Sequence, residues 1–496
     1  MKGRVKMKSI ARFFSFPDPA GQPEQRLRTF LGPAGLGILY ILVFILFLAL
    51  KLTYKEFCLE RVFRDTLGYV KVAELPFLAP NFWAGERSFS LPLLYKLLGV
   101  ISLNYELPDT MAMVAAFQTW LSIACWTLLA GATAAHLRNR WLGPLAFALV
   151  LIFSASLEIS LWDTLMLSES LSLSLFALIC AGWLVWIKQL NRSKKSWSSW
   201  LLISGQIVIT ILYTFVRDSN IYFVLIGAVI ISAGVIFKKI PRSSWVQTAI
   251  TTVSVVAVLV ISNLNMAAGN RWQIFIYDQL ALNILPDPVA REFFVREGLP
   301  ISDPLMAIST MVGYQYQDLL ANAPELKSVN TWINQESKTA YLKYLISNPA
   351  NSMFEPISNA QVLISPKTIG YLYPRFPDLP YPRRVTLFSA VFYPNSLPIA
   401  IALLALAGTG SIVFWIRGNP QQPAWLFVSI LVFSLYPLMF LIWHGEPMEV
   451  GRHAAQIGAQ LRLAGWICVA LLIDGVPGLL SKQGLFKTWR TREKQI

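Results

Sequence analysis

The side chains best equipped for chemistry in this chain are carboxylates and arginines set in short polar gaps between long apolar runs. The first is Asp65, within Arg61-Val62-Phe63-Arg64-Asp65-Thr66-Leu67-Gly68-Tyr69. Asp163 and Glu169 share a later gap, and Arg217 and Asp218 another. A fourth reads His444-Gly445-Glu446-Pro447-Met448-Glu449-Val450-Gly451-Arg452-His453, and Arg462 follows inside an apolar run. Of the three histidines, two fall in this one loop. A carboxylate can take the proton of an attacking hydroxyl or amine. Arginine grips phosphate with two donors and stabilises charge on a leaving group. The pair suits transfer of a sugar from a lipid-linked phosphate. Each residue also has a plainer use. Asp65 could pair with Arg61 on the wet face of an interfacial helix, and Glu169 could answer a helix dipole. Arg217–Asp218 could snorkel at a helix end. Glu446, Glu449 and His453 share an i, i+3, i+7 face that would suit a metal, but Pro447 disturbs it. If its helix starts near Ala455, Arg462 lies about 10 Å deep, where a charge requires a partner such as a lipid phosphate or an outer acid.

The elements that must position these groups are membrane helices. Of 496 residues, 55% are hydrophobic and 14% charged, against about 25% charged in soluble proteins. Ten apolar runs fall near 34–52, 111–135, 141–158, 170–188, 199–216, 220–237, 246–264, 396–416, 424–443 and 455–475, which predicts an all-α integral membrane protein. The first follows a basic arm and lacks a small-residue cleavage site, so it reads as an uncleaved anchor. With the N-terminus in the cytoplasm, the inner segments collect Arg138, Arg140, Lys188, Arg192, Lys194, Lys195, Lys238, Lys239, Arg242 and Arg417, besides the basic arm and tail. The net charge of +15 is therefore a topology signal and not a nucleic-acid footprint. Three of the four cysteines lie in apolar runs, which leaves no disulfide framework. This reading sets out a cytoplasmic arm (1–33), a core of seven spans (34–264), an extracytoplasmic cap (265–395), three more spans (396–478) and a cytoplasmic tail (479–496). Every polar gap singled out above, Asp65 included, then opens on the extracytoplasmic side of an inner membrane.

The first outer loop, 53–110, holds two expected juxtamembrane helices. Over 57–73, Leu59, Phe63, Leu67 and Val70 recur at helical spacing, and Arg61, Asp65 and Tyr69 share another face. The second, Arg87 to Tyr95, turns back toward the bilayer. In the cap, Trp332 to Ile346 reads as helix, and Tyr371-Leu372-Tyr373-Pro374-Arg375-Phe376-Pro377 as a Pro-punctuated stretch.

These motifs resemble the GT-C superfamily of integral-membrane glycosyltransferases, which use polyprenyl-phosphate sugars. Asp65 to Ala73 is similar to the acidic element of that family's first outer loop, and Arg87 to Tyr95 to the Arg-then-Pro element after it. Leu167-Ser168-Glu169-Ser170-Leu171 resembles its acidic element before the fourth span. Arg217-Asp218-Ser219 and Glu449 to His453 resemble its later Arg-containing elements. The resemblance implies a helical membrane core and Asp65 as catalytic base, with Glu169 a second catalytic acid. Tyr69, Arg87, Asp163, Arg217, Glu449, Arg452, His453 and Arg462 are the expected substrate-binding set. It implies a polyprenyl-phosphate-sugar donor and leaves the acceptor open among lipid, glycan and protein. The oligosaccharyltransferase branch has an Asp-x-Asp in this loop where position 67 here is Leu, so a divalent metal (Mg or Mn) is left open. Two other readings stand beside it. An O-antigen-type polymerase or ligase would place its arginine and histidine in the large loop, but 267–394 contains no histidine. A flippase or transporter would show an internal repeat and mid-bilayer charge, and only Arg462 fits. Gly-rich phosphate loops and serine-nucleophile, zinc-hydrolase and dinucleotide motifs are absent.

Overall fold

The computed structural model describes residues 33–100, 108–190, 197–311, 316, 323–366, 371, 383–417 and 424–482. The basic arm, most of the tail and residues 372–377 lie outside them. Within them the chain is mainly helical, and a parallel β-bridge joins Arg61 to Leu165.

The long apolar helices are α1 (Pro33–Phe57), α4 (Pro108–Ala134), α7 (Ser168–Leu190), α8 (Trp197–Thr214), α10 (Trp245–Ala268) and α12 (Leu397–Arg417). To these are added the stacked pair α13 (Ala424–Phe433) and α14 (Leu435–Gly445), and the pair α15 (Val450–His453) and α16 (Ala455–Lys482). That makes eight helices long and apolar enough to cross a bilayer among the described residues. A ninth is bent: α5 (Gly143–Ser154) and the short α6 (Leu157–Ser160), with its 3-10 extension, meet at 59°. The tenth expected span, α9 (Asn220–Ile236), is 17 residues and shorter than the rest. The bend frees a backbone N–H at Leu157, and Ser389 Oγ accepts it at 2.6 Å. Apolar surroundings offer no water, so a break at this depth needs such a partner.

The first expected juxtamembrane helix starts later than its periodicity suggests. It is α2 (Arg64–Glu74), and Arg61 lies before it in extended chain. Arg61 N–H donates to Thr164 O at 3.3 Å, and Met166 N–H to Arg61 O at 2.9 Å. A strand-like pairing 100 residues away thus overrides the local helical pattern, and the Arg61–Asp65–Tyr69 face does not form. The second juxtamembrane helix, α3 (Ser90–Leu97), packs against α2.

Residues 272–340 build a second core from Trp272, Leu280, Phe294, Leu326, Trp332 and Ile333. It opens with α11 (Trp272–Gln279), which continues into a π-turn at Leu280–Ile284. The cap meets the bundle through Gln279 Nε2 and Tyr341 OH, both donating to His444 O at the end of α14 (2.6 and 3.0 Å). The last part of 265–395 belongs with the bundle, since Leu363, Ile364 and Tyr393 are buried in its core.

Candidate active site

The site forms where five elements end on the same side of the bundle. Asp65 comes from the first turn of α2, and Arg87 from the loop before α3. Glu169 starts α7, Arg217 follows α8, and Glu446 to His453 link α14 to α16. Glu169 occupies the first turn of its helix, where the dipole favours an anion.

Asp65 is held by two arginines. Arg87 Nη2 donates to Oδ1 at 3.0 Å, and Arg452 Nη1 to Oδ2 at 2.9 Å. Burial works against the ionised carboxylate, but the charges and hydrogen bonds of Arg87 and Arg452 outweigh it, so its pKa lies below the ordinary range. The Asp65 and Arg87 side chains are each 30% exposed, so this pair forms the open rim. Arg87 lies over the Tyr69 ring, 5.1 Å from its centre. A Cβ at Gly68 would come within 2.7 Å of Arg87 Nε. That glycine is what lets the arginine lie flat against α2.

Behind the rim is a buried layer. Glu169, 2% exposed, sits between Arg217 (3.5 Å) and Arg452 (3.4 Å). Neither Glu169 Oε1 nor Arg452 Nε has a well-aligned hydrogen bond, so the attraction between them is that of an ion pair. Glu169 therefore acts on the arginines and not at the opening. Arg217 also reaches Glu446 at 3.4 Å, and Glu446 contacts His453 Nδ1. Burial raises the Glu446 pKa; Arg217 and Arg452 oppose this, while Glu169 and Asp218 add to it. Arg452 Nη2 is 3.1 Å from Glu449, which accepts from Tyr371 OH at 2.9 Å. Glu449 itself adopts a left-handed backbone (φ 54°). This break removes the common helical face expected for Glu446, Glu449 and His453.

Two expected substrate ligands are elsewhere. Arg462 is wholly buried, and all five of its N–H donors are used. They go to Pro394 O (twice), Ile364 O, Gly458 O and Ser365 Oγ, and its guanidinium lies 4.2 Å over the Tyr393 ring. It satisfies the carbonyls of Ile364 at a helix end, of Pro394 in non-helical chain and of Gly458 one turn back on α16, and no donor remains for a phosphate. Asp163 is 4% exposed and paired with Lys51 at 2.8 Å, below the opening.

The spacing rules also missed partners. Asp218, adjacent to Arg217, turns the other way and accepts Arg271 Nε and Nη2 at 2.8 and 2.9 Å. Arg271 further donates to Gly85 O, and Ser88 Oγ to Asp218, which anchors the loop carrying Arg87. From the cap, Asp278 accepts from Tyr316 OH. Its pKa is pushed up to about 6 by burial, against the Tyr316 bond and with the added charges of Asp65, Glu446 and Glu449. The sequence signals for these are a lone arginine and a lone aspartate, neither of which marks a partner 53 or 38 residues away.

Among the described residues no three His, Cys, Asp or Glu side chains converge as a metal's ligands. The carboxylates of the opening face arginines instead, so these residues do not form a metal's donor set.

No known family profile matches the sequence, and no curated protein matches it. Solved structures do. The archaeal oligosaccharyltransferase AglB from Archaeoglobus fulgidus, in complex with an inhibitory peptide and a dolichol-phosphate, aligns with 94% of this chain at 11% identity and TM-score 0.46. The apo form of the Archaeoglobus fulgidus oligosaccharyltransferase aligns with 90% at the same identity and score. A third structure of it, tethered to an acceptor peptide containing the NVT sequon, gives 92%, 11% and 0.42. The chain spans about half the length of these proteins, 51–52% of each. The functional reading rests on the site's own geometry.

Proposed function

We propose that this chain is a membrane glycosyltransferase that moves a sugar from a polyprenyl-phosphate donor to an acceptor on the extracytoplasmic side. The observation that carries the reading is the partly exposed Asp65 carboxylate clamped between Arg87 and Arg452. In this reading the acceptor's hydroxyl or amine attacks the anomeric carbon of the sugar. The bond from that carbon to the phosphate oxygen breaks, the lipid phosphate leaves with the electron pair, and Asp65 takes the acceptor's proton. Arg87, with Arg452 behind it, binds the phosphate and stabilises the charge it gains.

Asp65 is a weak base while both arginines hold it. A phosphate that draws Arg87 toward itself weakens that hold and raises the carboxylate's proton affinity at the moment the acceptor must be deprotonated. Glu169 keeps Arg452 and Arg217 extended toward the opening, and the Tyr69 ring holds the Arg87 guanidinium against α2.

The test is turnover by the reconstituted protein on a panel of polyprenyl-phosphate sugars, with Asp65→Asn in parallel. The expected result is transfer from one donor, lost by at least a hundredfold in kcat in the variant while donor binding stays within about threefold. Undiminished transfer by Asp65→Asn would remove Asp65 from the mechanism. Tight binding of intact donor with no turnover would favour a transporter.

A further inference from the structure

Resting on the reading of Asp65 as base, we infer that the buried Lys51–Asp163 ion pair is a positioning device that sets Asp65 against Glu169 and its arginines. Lys51 lies on α1, six residues before its end, which is about 9 Å below the opening at 1.5 Å per residue. Its side chain is 0% exposed, and that of Asp163 5%. Lys51 Nζ donates to Asp163 Oδ2 at 2.8 Å and to Ser122 Oγ of α4 at 3.0 Å. Ser170 Oγ of α7 donates to the other carboxylate oxygen at 2.8 Å. One ion pair thus ties α1, α4, the bent span and α7 together, and its Lys–Asp bond spans 112 residues of sequence.

The segment it holds is the one that needs holding. Leu165 to Leu167 are non-helical and buried, so their backbone groups need protein partners. With its side-chain amide turned so that the nitrogen faces these two acceptors, as the surroundings require, Gln118 would donate to Asp163 O and Leu165 O (3.1 and 3.2 Å). Leu165 N–H donates to Trp162 O at 3.1 Å, and other groups of the segment meet the start of α2: Thr164 O with Arg61 N–H, Met166 N–H with Arg61 O, and Met166 O with Thr66 Oγ1 at 2.7 Å. Thr66 Oγ1 also accepts Phe63 N–H at 2.9 Å, capping α2. Asp65 is the residue before Thr66, and Glu169 follows the held segment by two residues. The ion pair and the two acids are therefore parts of one hydrogen-bonded frame.

A buried ion pair can often be replaced by apolar side chains of similar volume at no cost in stability, whereas removing one partner is damaging. This separates positioning from stability. In Lys51→Met/Asp163→Leu, the full-length protein in lipid nanodiscs should melt near the wild-type temperature and bind donor with unchanged affinity. Its kcat should fall at least tenfold, and backbone amides of 61–74 and 163–168 should exchange hydrogen faster. The swapped pair Lys51→Asp/Asp163→Lys should recover part of both. Should the apolar double variant fail to assemble, Gln118→Met, which removes only the bonds to the two carbonyls, carries the same readouts. Wild-type exchange in these segments, or faster exchange with kcat within twofold of wild type, would overturn the inference. If the wild-type protein transfers no sugar, the glycosyltransfer reading has failed. Exchange then still decides whether the pair holds the frame.

Discussion

At the scale of single residues, the site depends on how two arginines share one carboxylate. Asp65, Tyr69, Glu169, Arg87, Arg217 and Arg452 were legible in sequence because each is a charged or hydroxylated side chain beside an apolar run, where charge calls for a partner. What could not be read is who the partner is. Asp65 pairs with Arg87 and Arg452, 22 and 387 residues away, in place of its helical neighbour Arg61. Arg462 passed the same filter and turned out to serve backbone carbonyls, because sequence shows the cost of a buried guanidinium and not what meets it. The clearest residue-scale prediction concerns Gly68. Its missing Cβ leaves the space Arg87 Nε occupies, so Gly68→Ala should push Arg87 off Asp65 while leaving α2 intact. Since the arginines hold the Asp65 pKa down, losing Arg87 moves it up toward the ordinary carboxylate range. The ionised base is then lost at a higher pH, and the acidic limb of kcat/KM should shift upward. A fall of roughly tenfold in kcat/KM at neutral pH, about 1.4 kcal/mol, should accompany it. A pH profile superimposable on wild type would show that Arg87 does not govern the base.

At the scale of elements, periodicity located the helices well and their ends poorly. The α2 start moved from 57 to 64 because Arg61 bonds across to residues 164–166. No local pattern encodes a pairing at that distance. The cap shows the same limit: its helices are amphipathic, but the acid it sends toward the opening, Asp278, had no motif around it. Asp278 carries a prediction for the cap itself. Its folded pKa of about 6 lies above its unfolded value. Its contribution to stability is therefore fully present below the unfolded value near 4 and is lost as pH rises through about 6. Asp278→Asn keeps an acceptor for Tyr316 OH and removes the charge. At pH 7.5 the variant should be more stable than wild type, on the order of 1–3 kcal/mol, and the difference should vanish near pH 4. Thermal unfolding across that range measures it. A variant equally or less stable at pH 7.5 would show that Asp278 is ionised at little cost in the folded protein.

At the scale of the whole molecule, chemistry and topology constrain each other. The residues of the opening come from alternate gaps between spans, so they must share one side of the membrane, and the cap is joined to that side through His444. Lys188, Lys238, Lys239 and Arg242 gather at the opposite end, and by the positive-inside rule this distribution predicts that end to be cytoplasmic. The proposed donor follows from that predicted sidedness: a site on the far side from the cytosolic nucleotide sugars would receive its sugar on a carrier able to cross the bilayer, as a polyprenyl phosphate is. The prediction is that Thr339→Cys, exposed on the cap, reacts with a membrane-impermeant maleimide in intact right-side-out cells or spheroplasts. Arg242→Cys, exposed at the other end, should react only after permeabilisation; the four native cysteines are buried and serve as an internal blank. The reverse pattern would put Asp65 in the cytoplasm. The need for a lipid carrier would then disappear, and with it the reason for two arginines to face a phosphate held at the membrane surface.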